Sequence, residues 1–157
     1  MSLSNLADLA TICAAAVAIL GFGFGYFKYF DMRDRELRWK KTEFLFEQAA
    51  HLDGDREINY AVSVLAETDD DVSVNDVFEA DGSFSSAVDS KYRLGFDRLL
   101  NLLDRLAYAH LHSSVLDISE LNNFGWYYHK VVSSNRATKY CEESGYQDII
   151  EMAQKIQ

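Results

Sequence analysis

Hydrophobic residues are arranged in two different ways along this chain. From Leu9 to Phe27, nineteen consecutive residues carry no charge and are apolar on every helical face. A helix of that length, at about 1.5 Å of rise per residue, covers roughly the 30 Å hydrocarbon core of a bilayer. Beyond it, apolar positions recur at helical intervals with polar residues between them. Ile58, Ala61, Val62 and Leu65 follow the i, i+3, i+4, i+7 spacing of one buried face. After Ser90 a long helix is marked by Tyr92, Phe96, Leu99, Leu103, Leu106 and His110, widened by Leu100, Leu102 and Ala107. Asp117-Ile118-Ser119 reads as a cap before another helix, buried through Leu121, Phe124, Tyr128, Val131 and Val132. Tyr146, Ile149, Ile150, Ala153 and Ile156 stripe a tail with room for one or two further helices.

Punctuation supports the same elements. The chain has no proline, where average usage near 5% would give about eight. Nothing breaks a helix before Asp53-Gly54-Asp55, so the first helix is expected to run on as a stalk to about His51. Phe30, Leu37 and Phe44 recur at seven, but their companions Asp34, Lys41 and Gln48 are polar, which excludes a coiled coil. Thr68 to Ser90 is the least regular stretch and is expected to be a connecting loop, with a short helix around Asn75 to Ala80. The predicted architecture is all-α: one N-terminal transmembrane helix continuing into a stalk, then a small cytoplasmic helical bundle. Residues 1–8 form a short extracytoplasmic N-terminus, 9–27 the span, and 28–52 a basic juxtamembrane stalk. Residues 53–157 form the acidic bundle, with the loop near 68–90.

Charge gives the span its expected orientation. Six basic residues (Lys28, Arg33, Arg35, Arg38, Lys40 and Lys41) follow it, and none precedes it. The positive-inside rule therefore puts the C-terminal side in the cytoplasm and the N-terminus outside. With Trp39 these residues make a collar suited to lipid headgroups. The absent basic n-region argues against a cleaved signal peptide. Net charge is −10. Residues 28–41 sum to +3, residues 42–90 to −12 and residues 91–157 to zero. Outside the collar there is no basic footprint, so nucleic acid is excluded as a partner.

Within the span, Ala10, Ala14, Val17, Gly21 and Gly25 share one helical face, and Gly21 and Gly25 form a G-x-x-x-G pair that permits close helix–helix approach. The expected partners are membrane lipid and either further copies of this chain or another membrane subunit. Chemistry is sparse. His110 and His112 fall on different helical faces, and no spacing of His, Cys or acids makes a metal site. Registering a calcium loop at Asp69 or Asp71 misplaces the required Gly or Glu. Gly21, Gly23 and Gly25 lack the Lys-Ser/Thr of a phosphate loop. Cys13 and Cys141 form no motif. Asn101 and Arg105 share a face of the long helix, as a buried network or as a wet edge. Phe124-Gly125-Trp126-Tyr127-Tyr128-His129 is the densest aromatic cluster, and Trp126 and Tyr127 project away from its core face as a candidate partner patch. No catalytic residue, cofactor or metal is expected, and the chain reads as a non-enzyme.

Trp39-Lys40-Lys41-Thr42, Leu99-Leu100-Asn101-Leu102-Leu103-Asp104-Arg105-Leu106-Ala107 and Val115-Leu116-Asp117 resemble a bacterial family of uncharacterised short membrane-anchored helical proteins. In that family a Leu-Asn pair precedes an acid, usually Glu, on the same helix; here the acid is Asp104. The resemblance covers most of residues 35–135 and implies a helical fold in the bacterial inner membrane. It transfers no activity. The function expected is a single-span anchor and protein-interaction module, a scaffold or accessory subunit of a membrane complex. The alternative is an oligomeric membrane effector in bacterial defence or toxicity.

Overall fold

The computed structural model describes the backbone of residues 3–156 and the side chains of residues 16–156. Those residues are all-α, with no strand among them and a single isolated bridge between Phe78 and Phe84. The helices are α1 (Leu3–Gly54), α2 (Arg56–Leu65), α3 (Val74–Val77), α4 (Ser90–Leu111), α5 (Gly125–Ser133), α6 (Asn135–Ser144) and α7 (Gln147–Lys155), with a 3-10 helix at Ile118–Phe124 before α5. The chain divides into two compact units, Met1–Phe44 and Leu45–Gln157.

In the first unit, the described part of α1 carries large apolar side chains that stand mostly exposed. Val17, Phe22 and Phe24 are 69%, 78% and 73% exposed. Fully burying a side chain of this kind is worth about 1.5–3 kcal/mol, and here that stabilisation is forgone. Among the described residues, no helix is long and apolar enough to cross a membrane. Positions 9–15 of the expected span, Ala10, Cys13 and Ala14 among them, lie outside the residues with described side chains. The remainder, 16–27, falls short of the roughly 20 residues a crossing needs.

The second unit buries its apolar residues. α2 starts where Asp55 Oδ1 accepts the backbone N–H groups of Glu57 (2.9 Å) and Ile58 (3.3 Å), two of the donors a helix start leaves unpaired. It packs on α4 through Ile58, Ala61, Val64 and Leu65; Val62 is only half-buried. Gly95 makes that approach possible, since a Cβ there would lie 2.1 Å from the Glu57 carbonyl oxygen. The α4 stripe is buried as its spacing predicts, from Tyr92 to Ala107, with His110 half-exposed at its end. Tyr128 on α5 is fully buried, and its hydroxyl donates to the Leu103 carbonyl at 2.7 Å. α7 adds Ile149, Met152 and Ala153, leaving Ile150 half-buried.

Two elements differ from their sequence expectation. The helix opening at Asp117 is not continuous. It begins as the 3-10 helix, capped where the Asp117 N–H donates to Glu120 (2.7 Å), and becomes α-helical only at Gly125. Asn122, Asn123 and Gly125 are poor helix formers, so local propensity does not resist the break. The loop at 68–90 has its short helix at Val74–Val77, earlier than expected, and it is anchored from below. Val77 and Phe78 are completely buried. The Phe78 ring sits 5.1 Å from Phe84, 5.1 Å from Phe96 and 5.2 Å from Tyr140. Arg136 on α6 donates to the carbonyls of Asn75 and Phe78.

Candidate functional site

Near the end of α1 a cleft of about 480 Å³ opens in the second unit. α1 supplies Gln48 and His51, one turn apart. Asp55 and Ile58 come from the start of α2. The opposite wall is one face of α4: Arg98, Asn101, Leu102 and Arg105, at the three- and four-residue steps that align side chains along a helix. Ile58 and Leu102 are buried and give the cleft an apolar floor.

The polar groups are unequally satisfied. Arg98 donates to Asp55 at 2.7 Å and to Glu57 at 3.3 Å. Burial pushes the Asp55 carboxyl up, but the Arg98 guanidinium and the α2 backbone amides outweigh it and hold the group below its ordinary value. Asp55 in turn raises Arg98 further. Asn101 Nδ2 donates to the Asp97 carbonyl at 2.7 Å, leaving its amide oxygen available. Gln48 is 9% exposed, and its amide makes no hydrogen bond among the described residues. Arg105 is exposed and makes no ion pair among the described residues. Asp55 therefore offsets the charge of Arg98 while that of Arg105 remains.

A groove of about 580 Å³ runs along the acidic loop, lined by Glu67, Asp69, Asp70, Asp71 and Asp76 and faced by Lys130. Three acids of the loop are committed to its own backbone or to a neighbour. Asp69 accepts from the N–H groups of Asp71 and Val72 and from the Tyr92 hydroxyl at 2.8 Å. Asp76 accepts from Ser73, and Asp81 from Ser83. The Asp69 bond holds that carboxyl below its ordinary value and pushes the Tyr92 hydroxyl up to about 12. Among the described residues no group of three or more His, Cys, Asp or Glu side chains is arranged to hold a metal ion.

The residues singled out from sequence are not gathered into one site. Val17 is exposed, and nothing lies within 4 Å of a Cβ added at Gly21 or Gly25. In the collar, Arg35 pairs with Asp31 (2.9 Å) and Lys40 with Glu36 (2.7 Å). Trp39 is exposed. Trp126 is 43% exposed, its ring 4.9 Å from Tyr127 and edge-on, with the Lys130 ammonium 6.0 Å away. Tyr127 is half-buried, which raises its hydroxyl. Cys141 is buried, its thiol pushed up to about 12, so it is not a ready nucleophile. Of the cleft, Asn101 and Arg105 were legible as a shared face. Gln48 and His51 stood out only as a polar heptad position and an isolated histidine, and no local pattern joins them to α4.

Compared with known proteins, the chain matches no family model, no curated protein and no solved structure.

Proposed function

We propose that this protein is a non-enzymatic, single-span membrane anchor whose helical bundle engages a partner or further copies of itself. The observation that carries the reading is the apolar surface of α1, where Val17, Ile19, Leu20, Phe22, Phe24 and Phe27 are all more than two-thirds exposed. Together with the uncharged run from Leu9, that surface has the character of a helix whose solvent is lipid. The basic collar from Lys28 to Lys41 orients it with the bundle in the cytoplasm of a bacterial cell. Gly21 and Gly25 leave room for a second helix, and the exposed Trp126 beside Tyr127 gives the bundle an aromatic contact patch of the kind enriched at interfaces.

The test is extraction and recovery from native membranes. The full chain should stay in the membrane pellet after an alkaline wash, then come out in mild detergent with a stoichiometric membrane partner or as an oligomer. Release by the alkaline wash, or a strictly monomeric and partnerless detergent-solubilised chain, contradicts the proposal.

A further inference from the structure

We infer that the cleft between the end of α1 and the face of α4 is a binding site for a small carboxylic acid carrying an amide-like hydrogen-bonding edge. The chemistry follows from what the cleft leaves unsatisfied. Gln48 offers an N–H donor and a carbonyl acceptor, both without partners among the described residues, on a side chain only 9% exposed. Neither amide atom is sealed from water without a partner, so both face the cleft, where a ligand presenting one acceptor and one donor replaces their water. Asn101 adds a second acceptor on the facing wall, since only its Nδ2 is engaged.

The charge selects the rest of the ligand. Arg98 is bound to Asp55 and Glu57, so Arg105 is the cation left to meet an incoming group. A single uncompensated guanidinium matches one carboxylate, which it can hold through two parallel N–H bonds. A di- or triphosphate would bring more negative charge than the lining offsets and would lie against Asp55. The apolar floor of Ile58 and Leu102 receives a short aliphatic body. The volume, about 480 Å³, falls in the range of small-molecule sites. Because α1, α2 and α4 each contribute a wall, an occupant would tie the last turns of α1 to the bundle.

The experiment titrates the full chain in detergent micelles, labelled with nitrogen-15 at glutamine side chains, with N-acetylglutamine and with its uncharged primary amide. The Gln48 side-chain resonances, assigned through Gln48→Leu, should shift saturably with the acid and not with the amide. Arg105→Gln lies on the surface and leaves the core intact; it should weaken binding by about tenfold or more, the usual cost of losing a charge-assisted bond. Arg105→Lys, which keeps the charge but not the fork, should fall between. No shift of Gln48 with the acid, an equal shift with the amide, or unchanged affinity in Arg105→Gln overturns the inference.

Discussion

The stretch of α1 from Val17 to Phe27 and the face of α4 are both apolar helical surfaces, yet they behave in opposite ways. On α4, Phe96, Leu99, Leu100, Leu103, Leu106 and Ala107 are completely buried, because α2 and the C-terminal helices cover them. On α1, residues from Val17 to Phe27 of similar hydrophobicity stand open. The α4 stripe alternates with charged positions and so needs protein on one side only. From Val17 to Phe27 the α1 surface has no charged face to turn outward. Helical periodicity tells a residue which way to face; its absence tells the helix that its whole circumference needs an apolar surround.

The largest effect that sharpens this contrast is core truncation. Phe96→Ala should cost the bundle about 3–5 kcal/mol through lost burial and the cavity left behind. Phe22→Ala, on the open surface of α1, should leave the unfolding midpoint of the bundle unchanged. Denaturant titration of the full chain in detergent, followed by near-ultraviolet circular dichroism, separates the two. A comparable loss from both would contradict the contrast between the two surfaces.

Gly95→Ala should come next. Its Cβ would meet the Glu57 carbonyl oxygen at 2.1 Å, so α2 and α4 must separate, at about 1–3 kcal/mol. That exceeds the gain of up to about 1 kcal/mol from replacing glycine in a helix. Gly21→Ala and Gly25→Ala meet nothing within 4 Å and should not lower bundle stability in the same titration. A smaller loss, about 1 kcal/mol, is expected from Tyr128→Phe, which removes the 2.7 Å bond to Leu103 and leaves the ring in place.

Acid should act on the bundle by a modest amount. Asp55 and Asp69 both have carboxyls held below their ordinary value in the folded chain. A depressed folded value means that their contribution is complete above the unfolded value, about 3.9. It is lost as pH falls through the folded one. Thermal midpoints should therefore drop as the pH goes below about 4. Asp69→Asn together with Asp55→Asn should be less stable at neutral pH and should flatten that slope.

How much of this could be read from sequence depended on whether the cause was local. The α4 stripe, the start of α2 after Asp53-Gly54-Asp55 and the stripe of α7 follow from spacing and capping, and they stand where expected; α6 had no stripe assigned to it, only room in the tail for a second helix. The loop at 68–90 looked solvated because its acids dominate its composition. Val77 and Phe78 are buried there by Phe96 and Tyr140, which are distant in sequence. The break at Gly125 was hidden because Leu121, Phe124 and Tyr128 keep a helical spacing across it; the glycine sits against Ile156, to whose Cγ2 an added Cβ would come within 2.8 Å. The cleft was half visible, in Asn101 and Arg105, because both lie on one helix. Gln48 gained its meaning only when α1 was placed across from them.

The central claim is that the exposed apolar surface of α1 has lipid as its solvent, and one measurement addresses it directly. A nitroxide attached at Leu20→Cys, in a Cys13→Ser background reconstituted into vesicles, reports its surroundings through relaxation by oxygen and by a water-soluble nickel chelate. High oxygen and low nickel accessibility at position 20, with the reverse at Phe46→Cys in the bundle, is the result expected. Strong relaxation by nickel at position 20 would contradict the account.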